Sequence, residues 1–146
     1  LLNKYFYTPT KIELKDLAIL RLEEARKLFA DGYYDGACYL GGYCIELALK
    51  AAICTLLNLV DYPPSGDISK AFRTHKLEDL ITLAGLKVAL AQQQAVATFY
   101  ANWSLILEWS EIWRYNPKGT KSVIRILIIF FGAKSAHRRC ARASDA

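Results

Sequence analysis

Apolar residues recur at spacings of three and four through much of this chain, and the longest such stretch runs from Tyr33 to Leu57. Within it Ala37, Leu40, Cys44, Leu47, Ala51 and Cys54 fall along one helical seam. Tyr39, Tyr43, Glu46 and Lys50 form a second stripe beside the first. A helix that is apolar nearly all round, with one embedded acid and one embedded base, belongs at the middle of a bundle. It is also long enough to span a bilayer. Glu46 and Lys50 near its middle oppose that reading, since each would cost ~2.5–3.5 kcal/mol at the centre of a membrane. Gly41, Gly42 and two tyrosines at mid-depth oppose it further, so no membrane span is expected. The spacing of Glu46 and Lys50 fits either an embedded pair or an exposed i,i+4 pair contributing ~0.2–0.5 kcal/mol.

The same periodicity predicts helices on both sides. Residues 1–10 are aromatic and reach Pro9, an extended lead-in. From Lys11 onward Ala18, Leu22, Ala25 and Phe29 mark one face, with Glu23, Glu24, Arg26 and Lys27 on the other. Asp31-Gly32 stops this helix, glycine being well suited to a left-handed C-terminal position. So short a connection to the central helix predicts an antiparallel helical hairpin. Residues 61–70, with two prolines and a glycine, read as a loop. Leu77, Leu80, Ile81 and Ala84 then mark a short third helix, with Thr74 expected as its N-cap, Glu78 and Asp79 in its first turn, and Gly85 closing it. Lys87 to Tyr115 lacks Pro and Gly, which predicts one long helix or two joined near Asn102. Its second half carries Trp103, Trp109 and Trp113, residues suited to a core or to a subunit interface. Asn116-Pro117 ends it. Lys121 to about Phe131 is expected to form a fifth helix, although its β-branched residues also suit a strand. The predicted fold is therefore all-α, an antiparallel four- to five-helix up-and-down bundle over residues 1–133, followed by a basic tail over 134–146.

Composition narrows the setting. The chain has 146 residues, 53% of them hydrophobic, enough for a single core. It contains no Met, so Leu1 is not expected to be an initiator residue, and no secretory signal is visible at the start. Of the four cysteines, Cys38, Cys44 and Cys54 share one helix at spacings that do not bring them together, and no C-x-x-C occurs. With two histidines in the chain, no metal site is expected, and the thiols fit a reduced, cytoplasmic protein. The net charge of +5 lies beyond residue 118, where six bases face one acid; the body is neutral and does not offer a broad nucleic-acid surface.

No phosphate loop, dinucleotide fingerprint, nucleophile elbow or zinc-protease motif is present. Gly41-Gly42 lies within a helix and is expected to allow close helix packing. The candidate chemistry is a polar constellation across helices. Tyr39, Glu46, Lys50, Arg114 and Tyr115 are the candidate ligand-binding residues, with Arg114 and His75 the candidates for catalysis. Arg matches phosphate oxygens bidentately, which points to a phosphate-bearing ligand. Arg114 at a helix C-terminus would also suit the terminal carbonyls, and His75 alone would suit a capping or packing role.

The segments ARKLFADGYYDGACYLGGYCIELALKAAI, HKLEDLITLA and SEIWRYNP, in this order, resemble the HEPN domain (higher eukaryotes and prokaryotes nucleotide-binding) over about Lys15 to Thr120. The resemblance implies a helical bundle, a homodimer, a nucleotide or RNA ligand without a cofactor, and a partner such as the minimal nucleotidyltransferase of prokaryotic toxin–antitoxin pairs. Many members are metal-independent ribonucleases that carry R-x(4–6)-H. Placed on Arg114, that motif requires His at 119, 120 or 121, where this chain has Gly119, Thr120 and Lys121. The general acid or base for attack by a ribose 2′-hydroxyl is then missing. The expected function is a non-catalytic HEPN-like module that binds a nucleotide, RNA or a partner protein. The alternatives are a ribonuclease using Arg114 with His75, and a structural dimerisation domain.

Overall fold

Thr10 starts the first helix, α1 (Lys11–Ala30), with a reciprocal cap: its hydroxyl accepts from the Glu13 backbone N–H, and the Glu13 carboxylate accepts from the Thr10 N–H at 2.8 Å. A computed structural model describes residues 7–66 and 69–120 of the chain, without the side chain of Thr98. Asp31 and Gly32 end α1, Gly32 at φ +83°, where an L side chain would be strained. Two residues later α2 (Tyr34–Leu56) runs back along α1 as the expected hairpin. The N–H of Tyr62 donates to the Pro9 carbonyl at 2.9 Å, which ties the chain before α1 to the loop after α2.

α2 is long and apolar enough to cross a membrane by length and composition. Its seam is nevertheless built into the bundle, with Ala37, Leu47, Ala51 and Cys54 buried. Leu14, Ile53, Leu80 and Trp109 join Leu47 and Cys54 in the main core, while Phe29, Ala37 and Cys38 form a smaller one near the hairpin turn. Among the described residues the fold is all-α, as expected, with no strand and one isolated bridge between Thr10 and Asp61.

The second half departs from the periodicity in its breaks. A short α3 (Ser69–Phe72) interrupts the expected loop, and its Phe72 is buried, with the Phe72 carbonyl accepting from the Tyr62 hydroxyl. α4 (Leu77–Leu83) is preceded by Lys76, not Thr74, at the N-cap; Thr74 instead accepts from the Lys76 N–H and donates to Asp79. Gly85 follows its end at φ +68°, as expected of a closing glycine. Lys87–Tyr115 is neither one helix nor two joined at Asn102. It divides into α5 (Lys87–Gln94), α6 (Ala97–Leu107) and a 3₁₀ helix (Glu111–Tyr115). Trp109 sits in the second break, between α6 and the 3₁₀ helix, and is 6% exposed. Trp103 and Trp113, both half-buried, also pack against the cores. The expected fifth helix, the basic tail, Cys140 and His137 lie outside the described residues.

Candidate functional site

The turn between α6 and the 3₁₀ helix meets α2 over Gly42. A Cβ at that position would lie 2.0 Å from Trp109 Cδ1, so only glycine leaves room for the indole. Seated there, Trp109 donates from Nε1 to the Tyr39 carbonyl at 3.0 Å. Its ring lies 6.2 Å from that of Tyr39, which stacks in turn on Tyr43 at 6.4 Å. One turn further along α2 this aromatic wall ends at Glu46.

Glu46 is 0% exposed. Its Oε1 accepts from Lys50 Nζ at 2.5 Å and lies 2.9 Å from His75 Nδ1. This excludes the exposed-pair alternative for Glu46 and Lys50. Lys50, 13% exposed, also stands over the Tyr62 ring, 5.5 Å from its centroid. The second carboxylate oxygen, Oε2, is buried with no protein partner. Burial of this kind is a poor source of stability, because desolvation of two charges offsets most of their attraction. Burial, and next the Glu46 charge, push the Tyr43 and Tyr62 hydroxyls upward from their ordinary range. Both phenols therefore stay protonated beside the carboxylate.

His75 reaches Glu46 from the turn before α4, and its side chain remains 49% exposed. The i,i+4 geometry of α2 and a loop held by Tyr62 thus bring three of the sequence-predicted residues, Glu46, Lys50 and His75, onto one oxygen. Tyr39 contributes its ring and its carbonyl to the seat of Trp109. Arg114 is not in contact with Glu46 or Lys50. It is exposed on the 3₁₀ helix, its guanidinium 5.1 Å from the ring centroid of Tyr115, which is itself exposed. Nor does Arg114 cap a long α-helix, because α6 ends at Leu107.

Arg114 still belongs to the electrostatic surroundings. Glu111 is held below the usual carboxylate range by its own backbone N–H first, then the Ser110 hydroxyl, with His75 and Arg114 acting in the same direction. Arg114 and Arg21 also oppose the upward shift of Tyr43. Glu111, Tyr62 and Arg21 are members of this neighbourhood that periodicity did not single out. Tyr43 was legible as part of the α2 stripe, whereas Tyr62 and Glu111 arrive through loop and 3₁₀ geometry that leave no period in the sequence. Among the described residues no group of His, Cys, Asp and Glu could hold a metal ion.

On the side of α2 away from this cluster lies an apolar groove of about 680 Å³, lined by Ile19, Leu22, Ala48, Ala52, Leu56 and Leu86 among others, with Lys15 the charged residue in its lining. Ile19 and Leu56 are 59% and 57% exposed. Comparison with known families matches residues 13–104 to the HEPN domain, well over half of the chain. Searches of curated proteins and of solved structures gave no match.

Proposed function

The chain belongs to the HEPN domain family, and from that premise we propose that it is a binding module for a nucleotide or an RNA strand, without the ribonuclease reaction of catalytic relatives. The observation that carries this reading is the attachment of Lys50 and His75 to one oxygen of the fully buried Glu46. A pair buried at this cost and contributing little stability is well explained by a ligand, and Arg114, exposed on the 3₁₀ helix, supplies a guanidinium for phosphate oxygens. The reaction is left out because no imidazole follows Arg114 at 119, 120 or 121. Lys50 is engaged by Glu46 and Tyr62, so Arg114 is the cation best disposed toward an incoming phosphate.

The protein works as a homodimer in this proposal, in the cytoplasm, with a nucleotidyltransferase partner of the toxin–antitoxin type as its protein contact. The dimer surface in this proposal is the apolar groove between α1 and α2, where Ile19 and Leu56 are exposed. A second reading, metal-independent cleavage by Arg114 with His75, draws support from one observation: a carboxylate orients the His75 ring, as bases in catalytic sites are oriented.

An RNA cleavage assay with EDTA present, run beside nucleotide binding by calorimetry, separates the two. We expect no cleavage by the folded protein, and nucleotide binding weakened about tenfold or more in Arg114→Ala. EDTA-resistant cleavage that vanishes in Arg114→Ala would replace the binding module by the ribonuclease. Neither cleavage nor binding would leave an assembly domain.

A further inference from the structure

Glu46 Oε1 serves two donors, and their chemistry decides the state of a third group. Lys50 brings an ammonium, which has no acceptor to offer, and the carboxylate has no proton to give while it is paired to that ammonium. The 2.9 Å contact at His75 Nδ1 is therefore a hydrogen bond donated by Nδ1–H. In a neutral imidazole a proton on Nδ1 leaves the lone pair on Nε2. That nitrogen is on the far edge of a ring 49% exposed. Free imidazole side chains favour the opposite tautomer, so the arrangement presents an acceptor where an unconstrained histidine would present a donor.

We propose that Glu46 is a positioning residue that holds His75 in the Nδ1–H tautomer, and that His75 Nε2 accepts a hydrogen bond from a ribose hydroxyl of the bound nucleotide. The assignment of the ligand rests on the nucleotide-binding reading above; the tautomer does not. A phosphate, which in its dianionic form only accepts, is not a partner for a lone pair. Arg114 is the complementary group, a donor alone, and Glu111 stands within electrostatic reach of both residues. In a nucleotide the hydrogen-bond donors closest to a phosphate are the hydroxyls of its own ribose. One ligand thus offers chemistry to both residues: phosphate oxygens for the Arg114 donors and a sugar hydroxyl for the His75 acceptor, the two residues sharing Glu111 as a neighbour.

Two measurements on the full chain test this. The first is nitrogen-15 NMR of the imidazoles at a pH where they are neutral, with His137→Gln used to assign the remaining ring. A protonated Nδ1 and an unprotonated Nε2 are expected for His75. Replacing the buried pair by apolar residues in Glu46→Leu/Lys50→Met, a kind of exchange that commonly keeps a fold, is expected to return the ring to the Nε2–H form. An Nε2–H tautomer in the wild type, or an unchanged tautomer in the folded double variant, would overturn the role given to Glu46. The second is calorimetric binding of the four ribonucleoside 5′-monophosphates against their 2′-deoxy and 3′-deoxy counterparts. Loss of the recognised hydroxyl is expected to weaken binding about tenfold, and His75→Ala is expected to erase that preference. Binding with equal affinity for all three sugars overturns the hydroxyl contact while the nucleotide reading stands. Binding of none of them overturns both, and the tautomer measurement still decides the positioning by Glu46.

Discussion

At the scale of single residues, the demanding position is Gly42. An alanine there puts a Cβ 2.0 Å from Trp109 Cδ1, a distance no real contact tolerates, and the neighbour is a rigid ring already buried in the core. Gly42→Ala is expected to cost about 1–3 kcal/mol, the ordinary range for overpacking, and to displace Trp109 from the Tyr39 carbonyl. Urea unfolding reads the first effect, and the near-ultraviolet circular dichroism of the tryptophans reads the second. The glycine pair was legible as a packing device, but its occupant was not. Trp109 is 67 positions further along the chain, and nothing in its local spacing marks it as the residue that fills the gap. Glu46 was legible only as an ambiguity: its spacing from Lys50 fits a solvated face as well as an interior, and His75 arriving from another element resolves it.

At the scale of elements, the first two helices follow their periodicity closely and the later ones do not. α1 and α2 each turn the seam expected of them toward the core, with Ala18, Ala25 and Phe29 buried on the first and Ala37, Leu47, Ala51 and Cys54 on the second. From Lys87 onward the amphipathic stretches are too short to define one face, and the break after Leu107 carries the buried Trp109. Tertiary packing decides such breaks, not local propensity. The start of α1 is secured more locally. Thr10→Ala removes the hydroxyl half of the capping box and is expected to cost about 1 kcal/mol of stability. The Glu13 carboxyl is held below its ordinary value by the Tyr7 hydroxyl first, then by the Thr10 backbone and hydroxyl. Its contribution is therefore present above the unfolded value near 4.5 and is lost as pH falls through the lowered folded value. Chemical denaturation of Thr10→Ala and wild type, repeated across that acid range, should show the gap narrowing as pH falls.

At the scale of the whole molecule, one face of the helical hairpin is covered by α4 and the 3₁₀ helix, while the other leaves an apolar groove open. With a second copy as its occupant, Ile19→Lys together with Leu56→Lys is expected to shift the protein to a monomer in sedimentation equilibrium, with the helical content of the monomer retained. An unchanged mass would remove the groove from the dimer proposal. The all-α architecture was readable from spacing, and the family from the order of three short segments. The distribution of the site was not, because it is assembled from α2, a loop and a 3₁₀ turn far apart in the chain. The seat over Gly42 has a further consequence, one of timing. Contacts between α1 and α2 are close in sequence, so the hairpin is expected to form ahead of the docking of Trp109, 67 positions beyond its seat. Trp109 would then close onto a helix already formed, a latch on a standing frame.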